Sequence, residues 1–347
     1  MRTVRSLMAV SAAAILVSAC SDREPTAPIR RMTPVGPAMS AAVGGSSVSA
    51  GGSAYSPELD ALRLALRANG VTNVELVSAE ISVAGDSAGW QGATTLITNA
   101  RTHTLNSAFV PSDPRRGGQA YISYLVDQSD GSALEITSTG AIVLLPNAVV
   151  EPQIDTSMLR WQDQPRCGAP AVVKIADSGA DPDLIDGIVF GIPARIGTPF
   201  ADVTHAGWLP AAFFNALAPN GSTFILATTF TFIFVDADGN PTDIDRDGRA
   251  DAAFREIYYN RSQPWTRDAT NPRSYDIQSV ATHEAGHAYG LGHFGKVFVD
   301  NNNFIKFAPR AVMNAVYISS FRDLVGTDNA SFCQLWANAK IPKTIVQ

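Results

Sequence analysis

His283-Glu284-Ala285-Gly286-His287-Ala288-Tyr289-Gly290-Leu291-Gly292-His293 is the stretch that decides how the rest of the chain is read. On a helix, positions four apart share a face, with Cβ atoms about 5–6 Å apart. His283 and His287 can therefore both reach one metal ion at about 2.0–2.1 Å. Glu284 leaves the helix beside them, close enough to a water at that metal to take its proton. Gly290 suits the end of the helix, because glycine adopts the left-handed conformation at little cost. The turn that follows brings in His293 as a third ligand. A purely structural zinc normally has four protein ligands and needs no acid next to them, so three histidines with an adjacent glutamate point to a catalytic zinc. Five specified positions at ~5 % usage each give on the order of 10⁻⁴ chance matches in a chain of this length.

The whole composition bounds the answer. A chain of 347 residues is long enough for two domains and a sizeable core. The net charge of −6 gives no reason to expect nucleic acid as a partner. Of the five histidines, three lie in the motif, which leaves His103 and His205, too few for a second histidine-rich site. At the N-terminus, Arg2 and Arg5 precede an apolar run at 7–19 that is too short to span a bilayer as a mature helix. Its end, Leu16-Val17-Ser18-Ala19-Cys20, resembles a bacterial lipobox, which implies cleavage before Cys20 and a lipid anchor on it. A plain secretory signal is the alternative. Either way the protein is expected to be exported, as a cell-envelope lipoprotein or an extracellular protein.

Residues 21–55 are rich in Pro, Ser, Gly and Ala and fit a flexible tether. Ser56-Pro57-Glu58 then starts a helix, with Ser as N-cap and Pro at the first position, and Asn69-Gly70 closes it. Period-two patterns at 74–83, 94–98, 121–126 and 134–145 predict strands. These suggest a small, mainly β domain over 56–157, whose role could be inhibitory, accessory or that of a spacer. A second domain, 158–347, carries the motif. In it, 171–175 reads as a strand, 183–190 as a short helix, 223–235 as a buried strand, 276–289 as the zinc helix and 327–339 as a last helix. The expected class is α+β.

The second domain resembles the metzincin peptidases, and within them the matrixins, through the H-E-x-x-H-x-x-G-x-x-H motif and three further matches. Val312-Met313-Asn314-Ala315-Val316-Tyr317 resembles the Met-turn segment M-x-P-x-Y, with Ala315 in place of proline. The resemblance makes Met313 the methionine beneath the metal and Tyr317 the wall of the specificity pocket. A residue run at 297–307, between His293 and Met313, reads as an added hairpin. Glu256-Ile257-Tyr258-Tyr259-Asn260, with Trp265-Thr266, resembles the matrixin stretch before the zinc helix. Tyr258 stands where that family has a structural-zinc histidine, so a second zinc is not expected. Phe294 also departs from the usual Ser or Thr after the third histidine.

Pro165-Arg166-Cys167-Gly168-Ala169-Pro170 resembles the cysteine-switch motif, whose thiolate takes the open zinc position. Cysteine arithmetic offers another partner: with Cys20 lipidated, Cys167 and Cys333 remain as an even pair in an oxidising compartment, which favours a disulfide. Calcium has its own signal. Asp243, Asp245, Asp247 and Asp251 stand at loop positions 1, 3, 5 and 9, with Gly248 at 6, although position 12 is Phe254 rather than a bidentate Glu. The resulting expectation is a monomeric zinc endopeptidase acting on proteins or peptides. His283, His287 and His293 hold Zn²⁺, Glu284 is the general base, and Ca²⁺ is a structural addition. The competing expectation is a surface-anchored binding module with a structural zinc.

Overall fold

The structure, a computed structural model, describes residues 57–85, 103–129, 131–163, 167–179, 181–190, 201–299 and 305–337. The expected signal peptide with Cys20, the tether and the strand at 94–98 lie outside the described residues. The described residues all fall in one compact unit of the chain, Arg31–Gln347.

The first elements are α1 (Pro57–Ala68), β1 (Val74–Ala84), β2 (Ser107–Ala108), β3 (Ile122–Val126), β4 (Leu134–Ile136) and β5 (Ile142–Leu144). Then come α2 (Asn147–Asp163), β6 (Val172–Lys174), α3 (Ile185–Phe190), β7 (Val203–Leu209) and α4 (Ala211–Leu217). After these follow β8 (Ile225–Phe234), β9 (Ala250–Asn260), β10 (Trp265–Thr266), β11 (Tyr275–Asp276) and α5 (Ile277–Ala288). The chain continues through β12 (Lys296–Val299), β13 (Ile305–Ala308), β14 (Val316–Tyr317) and α6 (Gly326–Trp336).

The main sheet runs β14-β1-β8-β9-β7-β3-β6, with β2 attached to β9. It is mixed: β8 is antiparallel to both β1 and β9, while β9, β7, β3 and β6 run parallel. Ile225–Phe234 is almost continuously apolar or β-branched because helices cover both faces of the sheet. On one face Met158 and Trp161 of α2, Ala281 and Ala285 of α5, and Phe332 and Trp336 of α6 form one core. On the other, Leu66 of α1, Ile185 of α3, and Phe213 and Phe214 of α4 pack on Phe230 and Phe232.

This arrangement corrects the expected domain division. The boundary at 157/158 falls inside α2, and β1 and β3 from the first half share one sheet with β7, β8 and β9 from the second. A period-two pattern identifies a strand without naming its partner, and these partners are far away in sequence. Among the described strands of the first half, only the β4–β5 hairpin goes elsewhere, into a small sheet ordered β11-β10-β4-β5. The helix α2 was not legible because Pro152 lies inside it. An interior proline removes an i→i−4 hydrogen bond and normally argues against a helix. The packing of Ile154, Met158 and Trp161 into the core outweighs that cost.

Candidate metal centre and its surroundings

α5 starts where a cap allows it. Asp276 is the N-cap, and its Oδ2 accepts from the Ser279 N–H at 2.9 Å. Arg322 holds the same carboxylate through its Nε at 2.8 Å. At the other end, the buried Arg255 guanidinium donates to the Ala288 carbonyl at 2.7 Å, placing positive charge at the helix C-terminus. Gly290 has φ +98° and turns the chain, as its position in the motif requires.

That turn also orients a motif histidine. His287 Nδ1 lies 2.7 Å from the Leu291 carbonyl, and His283 Nδ1 lies 2.7 Å from the Val312 carbonyl. A carbonyl only accepts, so both Nδ1 atoms carry the proton and both Nε2 atoms present lone pairs. The Nε2 atoms of His283, His287 and His293 converge to 3.0–3.1 Å of one another. Three ligands at about 2.0–2.1 Å from a tetrahedral metal would stand ~3.3 Å apart. Burial lowers the pKa of all three, to about 4 for His283, so the rings are neutral at pH 7. Converging neutral acceptors repel one another unless a cation sits between them. The donor set therefore fits zinc.

Glu284 is fully buried and sits beside this cluster. Its Oε1 accepts from the Ser82 hydroxyl and its Oε2 from the Thr229 hydroxyl, each at 2.6 Å. Burial pushes its carboxyl up to about 8, against the two hydroxyl bonds, and Glu80 adds to the rise. The Glu80 carboxyl lies 3.4 Å from His293 Nδ1, longer than a good hydrogen bond.

Met313 is buried, and its sulfur rests against Gly286 of the motif. A Cβ at 286 would overlap that sulfur and stand 2.8 Å from the Trp161 ring, so glycine is needed for this approach. Trp161 in turn donates from Nε1 to the Thr282 carbonyl at 2.7 Å, tying α2 to the zinc helix. Asp328 of α6 holds the Met-turn: its carboxylate accepts from the backbone N–H of Val312 at 3.0 Å and of Met313 at 3.2 Å. Tyr317 walls a cavity of about 50 Å³ also lined by His283, Val280, Ser82 and Arg310. Its hydroxyl accepts from the Asp276 N–H at 3.1 Å.

Cys167 and Cys333 form a disulfide, with Cα atoms 5.3 Å apart, joining the segment after α2 to α6. Cys167 is thus not a thiolate in the histidine cluster. Tyr258 is buried with its hydroxyl 3.0 Å from both Asp183 Oδ1 and Glu256 Oε2, which accounts for it without a metal. Of the four loop aspartates, Asp243, Asp245 and Asp251 bring carboxylate oxygens within 4.8 Å of one another, as do Asp127, Asp181 and Asp183 elsewhere. Asp247 turns instead to Arg249, at 3.1 Å. Asp251 is also paired with Arg115 at 2.7 Å. Ser82, Thr229, Glu80, Trp161 and Asp328 were not among the residues singled out from sequence. Each acts through a partner remote along the chain, and only the acidic first turn of α6 was a local signal for Asp328.

No curated protein matches the chain. Residues 236–299 match the matrixin family model, a stretch that runs from the aspartate loop through β9 and the whole of α5. The matched segment contains all three converging histidines and Glu284, and it supports a matrixin-like family, that of zinc metallopeptidases, for this chain.

Proposed function

We propose that the protein is a zinc-dependent endopeptidase that cuts proteins outside the cytoplasm, with Glu284 as general base. The observation that carries the reading is the convergence of three neutral Nε2 atoms within 3.1 Å of one another beside a buried carboxylate. His283, His287 and His293 would hold the zinc. When bound, zinc supplies a Lewis acid that polarises a peptide carbonyl and makes water more acidic. Glu284 takes a proton from the attacking water and returns it to the leaving amine. Thr229 fixes the rotamer of that carboxylate through Oε2, leaving Oε1 to be used once Ser82 moves away. The substrate lies extended, pairing main chain to main chain with β8, and places a side chain in the cavity walled by Tyr317 and His283.

The same reading makes Cys20 a lipid anchor after export. It also assigns a structural Ca²⁺ to Asp243, Asp245 and Asp251, without Asp247. A binding module with a closed structural zinc is the weaker reading, because it needs a fourth protein ligand and the disulfide withholds Cys167.

The test is hydrolysis of casein by the zinc-loaded chain, before and after limited proteolysis, with a chelator and Glu284→Ala alongside. Loss of hydrolysis in both controls, with zinc stoichiometry retained in Glu284→Ala, is the expected result. Peptidase activity persisting in Glu284→Ala would sink the mechanism.

A further inference from the structure

The strand β1 lies in a slot one strand wide. On one side it pairs antiparallel with β8, from Val74 opposite Phe234 to Val83 opposite Ile225. On the other it pairs parallel with β14, Val83 with Val316 and Ala84 with Tyr317. The second edge of β8 is taken by β9, so the β1 slot is the one edge at which a peptide could join β8. Beyond its bulge, β1 alternates: Ile81 and Val83 enter the far core, while Glu80 and Ser82 face the zinc helix. The Ser82 hydroxyl reaches Glu284 at 2.6 Å, and the same residue closes the cavity beside His283 and Tyr317. Glu284, at 0 % exposed, has no room for a substrate carbonyl while this strand is in place.

An extended peptide that adds to a sheet edge gains its affinity from main-chain hydrogen bonds and its specificity from alternate side chains. Both sets of partners are already used by β1. We propose that β1 occupies the line of the substrate itself, antiparallel to β8 and parallel to β14, so that the zinc-loaded chain is latent until β1 leaves the slot. The inference rests on the peptidase reading and adds the regulation of that site. Departure is chemically open, because the disulfide joins Cys167 to Cys333 and leaves residues 57–85 uncrosslinked. Latency here needs no cysteine at the metal. It comes from a strand in the substrate's direction and a serine hydroxyl on the general base.

The test is competition for the slot in the full, zinc-loaded chain. An extended peptide hydroxamate is titrated in while hydrogen exchange is followed by mass spectrometry over residues 74–85 and, as an internal standard, over β9. The hydroxamate is expected to speed exchange in β1 at least 10-fold and leave β9 unchanged. Ile81→Ala with Val83→Ala, which loosens β1, is expected to tighten hydroxamate binding and raise turnover of a quenched peptide by a similar factor. Hydroxamate binding with β1 exchange unaltered would overturn the latency, and so would equal turnover by the intact and loosened chains. The wild-type exchange measurement decides the matter even if the loosened variant does not fold. Zinc uptake with no hydroxamate binding and no turnover in either chain would instead overturn the peptidase reading, and the latency with it.

Discussion

Removing the Asp328 carboxylate should weaken the fold and the metal site together. The side chain is fully buried and accepts from three backbone donors, Val312 and Met313 of the Met-turn and Val325 at the start of α6. In Asp328→Ala the first two N–H groups stay buried without a partner, each costing about 1–3 kcal/mol, while Val325 is half-buried and can turn to water. A loss of roughly 3–5 kcal/mol follows, at the upper end for single substitutions. The Val312 carbonyl beside the first of these donors is the one that fixes His283 Nδ1. Groups that orient a metal ligand typically change metal affinity by 10–100-fold, so zinc should bind at least ~10-fold more weakly. Asp328→Asn keeps an acceptor but loses the charge, and should give about half the stability loss. Urea unfolding gives the first quantity and competition with a chromogenic chelator the second. If Asp328→Ala unfolds within ~1 kcal/mol of wild type and keeps its zinc affinity, the Met-turn is not held from α6 and the reasoning fails.

Three further outcomes are expected. Replacing Cys167 and Cys333 together by alanine should cost about 3–5 kcal/mol in urea unfolding, given a loop of 166 residues, and should leave peptidase activity no higher. Activation by Cys167→Ala alone would favour a cysteine switch over the disulfide. Glu256 is pushed up to about 8 by burial, from 4.5. The folded chain then holds a proton that the unfolded chain has released. Its stabilising contribution is thus fully present below the unfolded pKa and lost as pH rises through about 8. The urea midpoint of wild type should fall relative to Glu256→Gln between pH 5 and 9; a constant offset would contradict this account. Ca²⁺ at 100 times its Kd should stabilise the chain by about 2.7 kcal/mol and raise Tm, an effect abolished by Asp243→Asn. No shift in Tm would identify the loop as a solvated acidic turn whose Asp251 is already satisfied by Arg115.

How far the sequence could be read follows from the range of each interaction. The histidine cluster was legible because its geometry is local: i, i+4 and a glycine turn bring three imidazoles together within eleven residues. The helix α5, the buried strand now labelled β8 and the last helix were legible for the same reason, each being set by neighbours along the chain. The hairpin of β12 and β13 also stands where its local pattern put it, whereas the single strand expected over 134–145 is broken into β4 and β5. The domain boundary was not legible, because β1 finds its partner strand about 150 residues later, and a period of two says nothing about that distance.

The same distance explains what was missed at the site. Ser82 and Glu284 are 202 positions apart, and Trp161 reaches Thr282 across 121. Gly286 shows how the two kinds of information meet. Within the motif it is only a spacer, and helix propensity alone would prefer alanine there by about 1 kcal/mol. The folded chain reverses that preference, since a Cβ would collide with Met313 and Trp161, and overpacking of this kind costs typically ~1–3 kcal/mol. The motif supplies the chemistry, and the position of β1, α2 and α6 around it decides whether that chemistry is reachable. A matrixin-like signature is therefore compatible here with a buried Glu284 that, on the proposal above, a substrate reaches only once β1 leaves its slot.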